Sequence, residues 1–328
     1  MPIPRLLPLL LAVVVAVSAA EPPAPIRIGE FASLTGKEAT YGQAAHKGVL
    51  LAIEEANAAG GILGRPLELI TEDNQSKAGE SATVVKKLIS RDKVAVVVGD
   101  ITSGRTLEAA PIAQAAKIPL ISPGATNVTV TTKGDYVFRV CFIDDFQGTI
   151  MAKFARETLK LRRAAILSSA SSAQSVGLAK FFRVGFTMGD ARIAADQKYN
   201  EGDKDFRAQL TAIKAAGADG VFVPGYYAEA ALICKQARDL GLTVPLFGID
   251  GWESPELVKL AGPAVEGGYF STHYSPDNRS PRVVDFNRRF QQRWGTPSDS
   301  LSALGYDAAA LAIDAIRRAG STDGAKIR

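Results

Sequence analysis

Apolar residues along this chain switch repeatedly between two spacings. Short aliphatic runs at Ile26–Phe31, Leu67–Thr71 and Val94–Val98 read as strands. Between them, Ala45, Val49, Ala52, Ile53 and Ala56 recur at helical spacing, as do Val84, Val85, Leu88 and Ile89. A glycine-rich turn from Asn57 to Pro66 separates the first helix from the second strand. A further strand follows from Ile118, and Tyr136–Phe142 is extended. Pro111 falls inside the helix before Ile118; it lacks an amide hydrogen, so a break or kink is expected there. Asp144-Asp-Phe-Gln-Gly148 then leads into a helix through Leu159. Strands alternating with helices predict a mainly parallel α/β sheet.

A second series begins at Ala164. It predicts strands at Ala164–Leu167, Ile193–Tyr199, Gly220–Val223 and Pro245–Phe247, with helices at Leu178–Thr187, Phe206–Ala216 and Ala228–Leu240. This series echoes the first. Val96-Val-Val98 followed by Ile118-Pro119-Leu-Ile matches Val221-Phe-Val223 followed by Val244-Pro245-Leu-Phe at almost the same spacing, with Ala-rich helices between. Two α/β lobes of similar topology fit that echo better than one long sheet. Equivalent loops would then face each other across a cleft.

Both loops of the first copy, Gly99-Asp-Ile-Thr-Ser103 and Ser122-Pro-Gly-Ala-Thr126, present hydroxyls. Neither has the glycine spacing of a dinucleotide site nor the Lys-Ser/Thr of a Walker loop. Strand ends in a parallel sheet form a ligand crevice, and the following helix offers unpaired amides to an anion. A carboxylate cradle is one reading; a plain structural strand–loop–helix is the other. In the second copy the matching loops are Pro224-Gly-Tyr-Tyr227 and Gly248-Ile-Asp-Gly-Trp252. One lobe thus offers donors, the other Asp250 and aromatic rings. An amino-acid zwitterion needs both: donors for its carboxylate and an anion for its ammonium.

Composition narrows the function class. The 328 residues suffice for two domains, and the net charge of +4 is spread over helix faces with interleaved acids, as at Arg288-Arg289 near Asp285. No basic arm or aromatic-plus-basic face suggests nucleic acid. Arg5, the apolar run Leu9–Val17 and Ser18-Ala-Ala20 predict a secretory signal over residues 1–20, the alternative being an uncleaved anchor. Cys141 and Cys234 have no metal spacing, and a buried thiol is expected for Cys234 rather than a disulfide. No metal or cofactor is implied. His46 and His273 read as surface or hinge residues, Asp144 and Asp145 as cap and hinge. With no nucleophile elbow, Ser-His-Asp order or metal cluster, an enzyme is not expected.

Leu34-Thr-Gly36 with Tyr41-Gly42, Asn57-Ala-Ala-Gly-Gly-Ile-Leu-Gly64, Pro111-Ile-Ala113, Ile118-Pro119 with Ser122-Pro123, Asp203-Lys-Asp-Phe206 and Gly248-Ile-Asp-Gly251 form an ordered set. In that order, nearly all of the chain after residue 20 resembles the periplasmic Leu/Ile/Val-type amino-acid-binding proteins of ABC transporters. The resemblance implies a type I periplasmic binding protein fold: two Rossmann-like lobes, here 25–143 with 275–328 and 144–274. It implies an exported, periplasmic monomer that captures a free amino acid, branched-chain or otherwise apolar, for an ABC permease. Carried over by position, Ser103 and Thr126 would hold the ligand carboxylate. The Gly124 carbonyl and Asp250 would hold the ammonium, and Tyr41, Ile101, Tyr226 and Leu301 would form the walls. Taken singly, Ser103 and Thr126 also suit helix caps, Tyr41 and Tyr226 core rims, and Asp250 a turn.

Three departures from the family pattern stand out. Gln174 occupies a position where relatives often carry an aromatic residue, which implies a more polar or roomier pocket and leaves an amide, urea or aromatic acid as the alternative ligand. Asp250 stands where some relatives have Glu. The chain stops at Arg328, after the predicted helix Ala308–Ala319, which implies a truncated C-terminal end. A sensor acting through a separate receptor is the remaining alternative.

Overall fold

The computed structural model describes residues 23–328, so the signal predicted over residues 1–20 lies outside the described residues. The first half alternates β1 (Ile26–Ala32), α1 (Ala39–Ala58), β2 (Leu67–Asp73), α2 (Glu80–Ser90), β3 (Val96–Val98), α3 (Ser103–Ala116), β4 (Leu120–Ser122) and β5 (Val137–Arg139). Its five strands pair in parallel in the order β2-β1-β3-β4-β5. The chain then crosses through residues 140–143 into α4 (Asp144–Lys153), β6 (Arg163–Ser169), α5 (Ala173–Phe186), β7 (Arg192–Tyr199), α6 (Arg207–Ala215), β8 (Gly220–Phe222), α7 (Tyr227–Asp239), β9 (Leu246–Gly248), α8 (Pro255–Ala261) and β10 (Tyr269–Phe270). The second sheet runs β7-β6-β8-β9-β10, the same order as the first. Residues 271–280 lead back to α9 (Pro281–Trp294), α10 (Ser300–Ala319) and the short α11 (Gly324–Ile327), which return to the first lobe.

The inner strands β3, β4, β8 and β9 are buried on both faces, which is why they read as continuous apolar runs, whereas β2, β7 and β10 are more open to solvent. Val96 and Val98 point to the face covered by α1 and α10, Val97 to the face covered by α2 and α3. In the second lobe Val221 and Val223 pack towards α6 and α7, Phe222 towards α4 and α5. The echo in the sequence is therefore an echo in structure: β3–α3–β4 and β8–α7–β9 are equivalent units with matching neighbours.

Some boundaries differ from the sequence reading. Helix α3 runs unbroken through Pro111. That proline lies on the exposed side, so water can satisfy the Leu107 carbonyl left without its helical donor. The helix from Asp144 widens into a π-helical turn over Phe154–Thr158. Helix α10 starts eight residues before the predicted Ala308, because Asp299 and Ser302 close a reciprocal capping box. Helix α9 buries only Phe286 and Phe290, too thin a stripe to stand out in the sequence.

Candidate ligand-binding site

The first-lobe half of the site is held from below by Asp100. Its buried carboxylate accepts from the Thr102 amide (2.7 Å) and from Asn74 Nδ2 (2.7 Å). Burial pushes this carboxyl up, and these hydrogen bonds pull it back. The loop so fixed puts Ser103 in the first turn of α3, where its Oγ accepts from the Asn127 amide (3.1 Å) and keeps its own hydrogen free to donate. After β4, Ser122 Oγ donates to the Asp100 carbonyl (2.7 Å) and accepts from the Ala125 amide (3.0 Å). Arg139 clasps the same loop through the carbonyls of Ala125 (2.7 Å) and Asn127 (2.8 Å). At Gly124 a Cβ would lie 3.1 Å from Ile101, so the small residue lets the loop rest on that wall.

The second-lobe half is the turn Asp250–Trp252 after β9. Asp250 is buried, and its Oδ1 accepts from Gln147 Nε2 (2.8 Å) and Gln174 Nε2 (3.3 Å), while Oδ2 lies 3.0 Å from His273 Nε2. Gln174 Nε2 also reaches Thr126 Oγ1 at 2.8 Å, so one amide touches both ends of the site. The Tyr41 hydroxyl bridges the lobes, donating to the Gly251 carbonyl and accepting from the Tyr227 amide (3.2 Å). Its ring meets Tyr226 and Tyr227 edge-on, at centroid distances of 5.7 Å and 5.2 Å.

Seven of the expected residues, Tyr41, Ile101, Gly124, Gln174, Tyr226, Asp250 and Leu301, line one cavity together with Gly251. Its volume is ≈ 10 Å³, about one water, because the lobes meet around it. Ser103 and Thr126 do not line it; both are buried, and Thr126 connects to it through Gln174. Around that small space stand the Asp250 carboxylate and the apolar walls of Ile101 and Leu301, with the hydroxyls of Ser103 and Thr126 behind it. Admitting anything larger than a water requires the lobes to part.

Several partners were not legible beforehand. His273, expected at the surface or a hinge, has a buried side chain between Asp250 and the Phe142 ring, on which it stacks at 3.7 Å. A lone histidine in sequence carries no signal for that. Asp144 and Gln147, read as cap and helix start, lie inside at the first turn of α4. Their spacing of three residues on one helix face was the available clue. His46 is half-buried and pairs with Glu30 (2.6 Å), which raises its pKa. Cys141 and Cys234 are both free thiols, and burial pushes that of Cys234 up to about 12. Among the described residues, no group of three or more His, Cys, Asp or Glu could hold a metal ion, and no helix is long and apolar enough to cross a membrane.

Two parallel sheets of matching strand order, closing on a cleft at their strand ends, define a two-lobed ligand-binding protein. The chain belongs to the periplasmic binding protein family, whose model matches residues 25–328. It is 31% identical over 307 residues to a leucine-, isoleucine-, valine-, threonine- and alanine-binding protein of Pseudomonas aeruginosa, covering 92% of this chain and 80% of that protein. A leucine-binding protein, LivK, of Thermotoga maritima has a similar structure, with a TM-score of 0.89 and 38% identity over 92% of this chain and 85% of that one. The branched-chain substrate-binding protein LivJ of Streptococcus pneumoniae, solved with isoleucine, gives a TM-score of 0.87 and 36% identity over 92% and 86%. The fold is the type I periplasmic binding protein fold, and the chain is a solute-binding protein of the branched-chain amino-acid type.

Proposed function

We propose that this protein captures a free amino acid with a branched or other apolar side chain between its lobes and delivers it to an ABC permease. The observation that carries this reading is Asp250, a buried carboxylate linked through Gln174 to the Thr126 loop of the opposite lobe, beside a small cavity walled by Ile101, Tyr226 and Leu301. The ligand ammonium would meet Asp250 and the Gly124 carbonyl. The ligand carboxylate would take hydroxyls and amides from Ser103 and Thr126. Ile101, Leu301 and Tyr226 would face the side chain, and cavity shape would set its size. No covalent change is involved; ligand affinity biases the lobes towards closure.

Gln174 supports a second reading. Its amide sits in the cavity wall and already serves both Thr126 and Asp250, so an amide, urea or aromatic acid could exploit the same donors. A thermal-shift series separates the two. Stabilisation by leucine, isoleucine or valine, with none by benzoate or simple amides, is expected; the reverse ranking would favour the second reading.

A further inference from the structure

Behind the Thr126 loop lies a carboxyl group that the binding reading leaves unused. Asp144 opens α4, and its amide donates to the Thr126 carbonyl at 3.0 Å. The side chain is fully buried, and neither oxygen completes a well-aligned hydrogen bond, although the Thr126 hydroxyl lies beside it. The groups around it pull in both directions: the Thr126 hydroxyl and Arg139 favour a negative charge, the nearby Asp250 and Asp145 oppose it, and the buried Cys141 thiol is a further titratable neighbour. Asp250 approaches from the turn after β9 and Asp145 follows on α4, both adding like charge. Arg139 on β5 is attractive, but its guanidinium is engaged by the Ala125 and Asn127 carbonyls and by Thr131 Oγ1, and it forms no ion pair with Asp144. On the α5 side Gly177 presses close: a Cβ there would stand 3.3 Å from Asp144 Oδ2. Burial pushes this carboxyl up to about 8.

Whether Asp144 holds a proton matters because a threonine hydroxyl has one hydrogen and two acceptor positions. Gln174 Nε2 already fills one of the acceptor positions on Thr126. If Asp144 were ionised, it would draw the Thr126 hydrogen to itself, leaving only a lone pair for a ligand. If Asp144 is neutral, its O–H can fill the second acceptor position, and the single Thr126 hydrogen stays available to a ligand carboxylate placed as in the amino-acid reading. A ligand carboxylate needs the second arrangement.

We propose that Asp144 acts as a neutral carboxylic acid that orients the Thr126 hydroxyl, and so makes capture of a carboxylate ligand depend on pH. Asp144 is a positioning residue, and its role rests on the amino-acid reading of the site. The variants Asp144→Asn, which keeps a neutral donor, and Asp144→Ala, which has none, test it with leucine as the probe. By calorimetry, wild type and Asp144→Asn should bind leucine equally at about pH 6.5, with Asp144→Ala about ten- to a hundredfold weaker, the range for one hydrogen bond to a charged group. Raising the pH past about 8 should weaken wild type by a similar factor relative to Asp144→Asn, a comparison that cancels titration of leucine itself. Parallel pH profiles of wild type and Asp144→Asn would overturn the proposal. An infrared difference spectrum, wild type minus Asp144→Asn, should show a carboxylic-acid carbonyl band near neutral pH that vanishes in alkali. Its absence overturns the proposal without reference to any ligand. Should the band be present and no amino acid bind at any pH, the amino-acid reading fails, and the role of Asp144 in binding fails with it.

Discussion

A buried carboxylate is tolerable only with partners, and Asp250 is surrounded by three: Gln147, Gln174 and His273. They hold its two oxygens in fixed positions, so a ligand ammonium would meet a preorganised acceptor rather than a mobile one. Replacing it should therefore be felt mainly in binding. Asp250→Ala is expected to cost about 2–5 kcal/mol of amino-acid affinity, the range for removing one partner of a buried charge pair. Isothermal titration with leucine checks it, and an unchanged affinity would remove Asp250 from the ammonium site. At His46 the sign of a pH effect can be worked out. Its hydrogen bond to Glu30 raises its folded pKa above the ordinary 6.5. The resulting stability is complete below the unfolded pKa and is lost as pH rises through the folded one. The pair is partly open to solvent, so about 0.5–1 kcal/mol is expected. In urea unfolding, His46→Gln should be less stable than wild type at pH 5.5 and converge with it as pH rises through the raised folded pKa. Residues of these two kinds were unequally legible in the sequence. Asp250 stood out because an aspartate follows a strand at the position echoing Ser122–Thr126. His273 had no such marker; only the crossing segment brings it back over Asp250.

Elements were legible where one period dominated. The central strands of both sheets, α1 and α2 carry apolar stripes that the fold then buries, whereas the exposed two-residue edge strand β10 was missed. The helices α8, α9 and the first half of α10 were missed, because their boundaries depend on caps such as Ser254, Ser280 and Asp299 rather than on apolar spacing. The same limit applies to packing distance. Helices α1 and α10 approach so closely that a Cβ on Gly48 would lie 1.9 Å from the Ser302 carbonyl oxygen, and one on Gly305 would lie 2.2 Å from that of Ala45. Both collisions are with backbone, which cannot rotate away. Gly48→Ala should force the helices apart and destabilise the protein by about 1–3 kcal/mol, as overpacking does. Gly104 in α3 is a control on the same chemistry, since a Cβ there meets nothing within 4 Å. Gly104→Ala should instead be neutral or stabilising by up to about 1 kcal/mol through helix propensity. Denaturant midpoints that fall for Gly48→Ala and hold or rise for Gly104→Ala would establish contact rather than propensity as the cause.

For the molecule as a whole, the matching sheet orders place both sets of strand ends on one cleft, and one of the sets of contacts that join the lobes there lies around the start of α1, beside those from Thr126 to Gln174, Asn127 to Ala173 and Ser300 to Glu253. Tyr41 bridges to Gly251 and Tyr227, the Tyr227 hydroxyl donates to the Lys37 carbonyl (2.7 Å), and Ser254 reaches Thr40 (3.2 Å). At the rim, Lys37 Nζ lies 3.2 Å from Glu201 of the second lobe and 3.6 Å from Glu38 of its own. These acidic neighbours raise the Lys37 pKa against the opposing effect of its partial burial. Lys37 does not line the cavity, so its removal can alter affinity only through the equilibrium between open and closed lobes. Because apparent affinity scales with the fraction of closed molecules, losing this partly exposed pair should weaken ligand binding about two- to fivefold, equivalent to roughly 0.5–1 kcal/mol. The loss should shrink as salt screens the wild-type pair. Lys37→Met, Glu201→Gln and the double variant, titrated with leucine at low and high ionic strength, provide the cycle. The double variant should lose no more than either single one. If instead the losses add and persist in high salt, Lys37 and Glu201 act independently, and closure is governed by Tyr41 and the apolar contacts behind it.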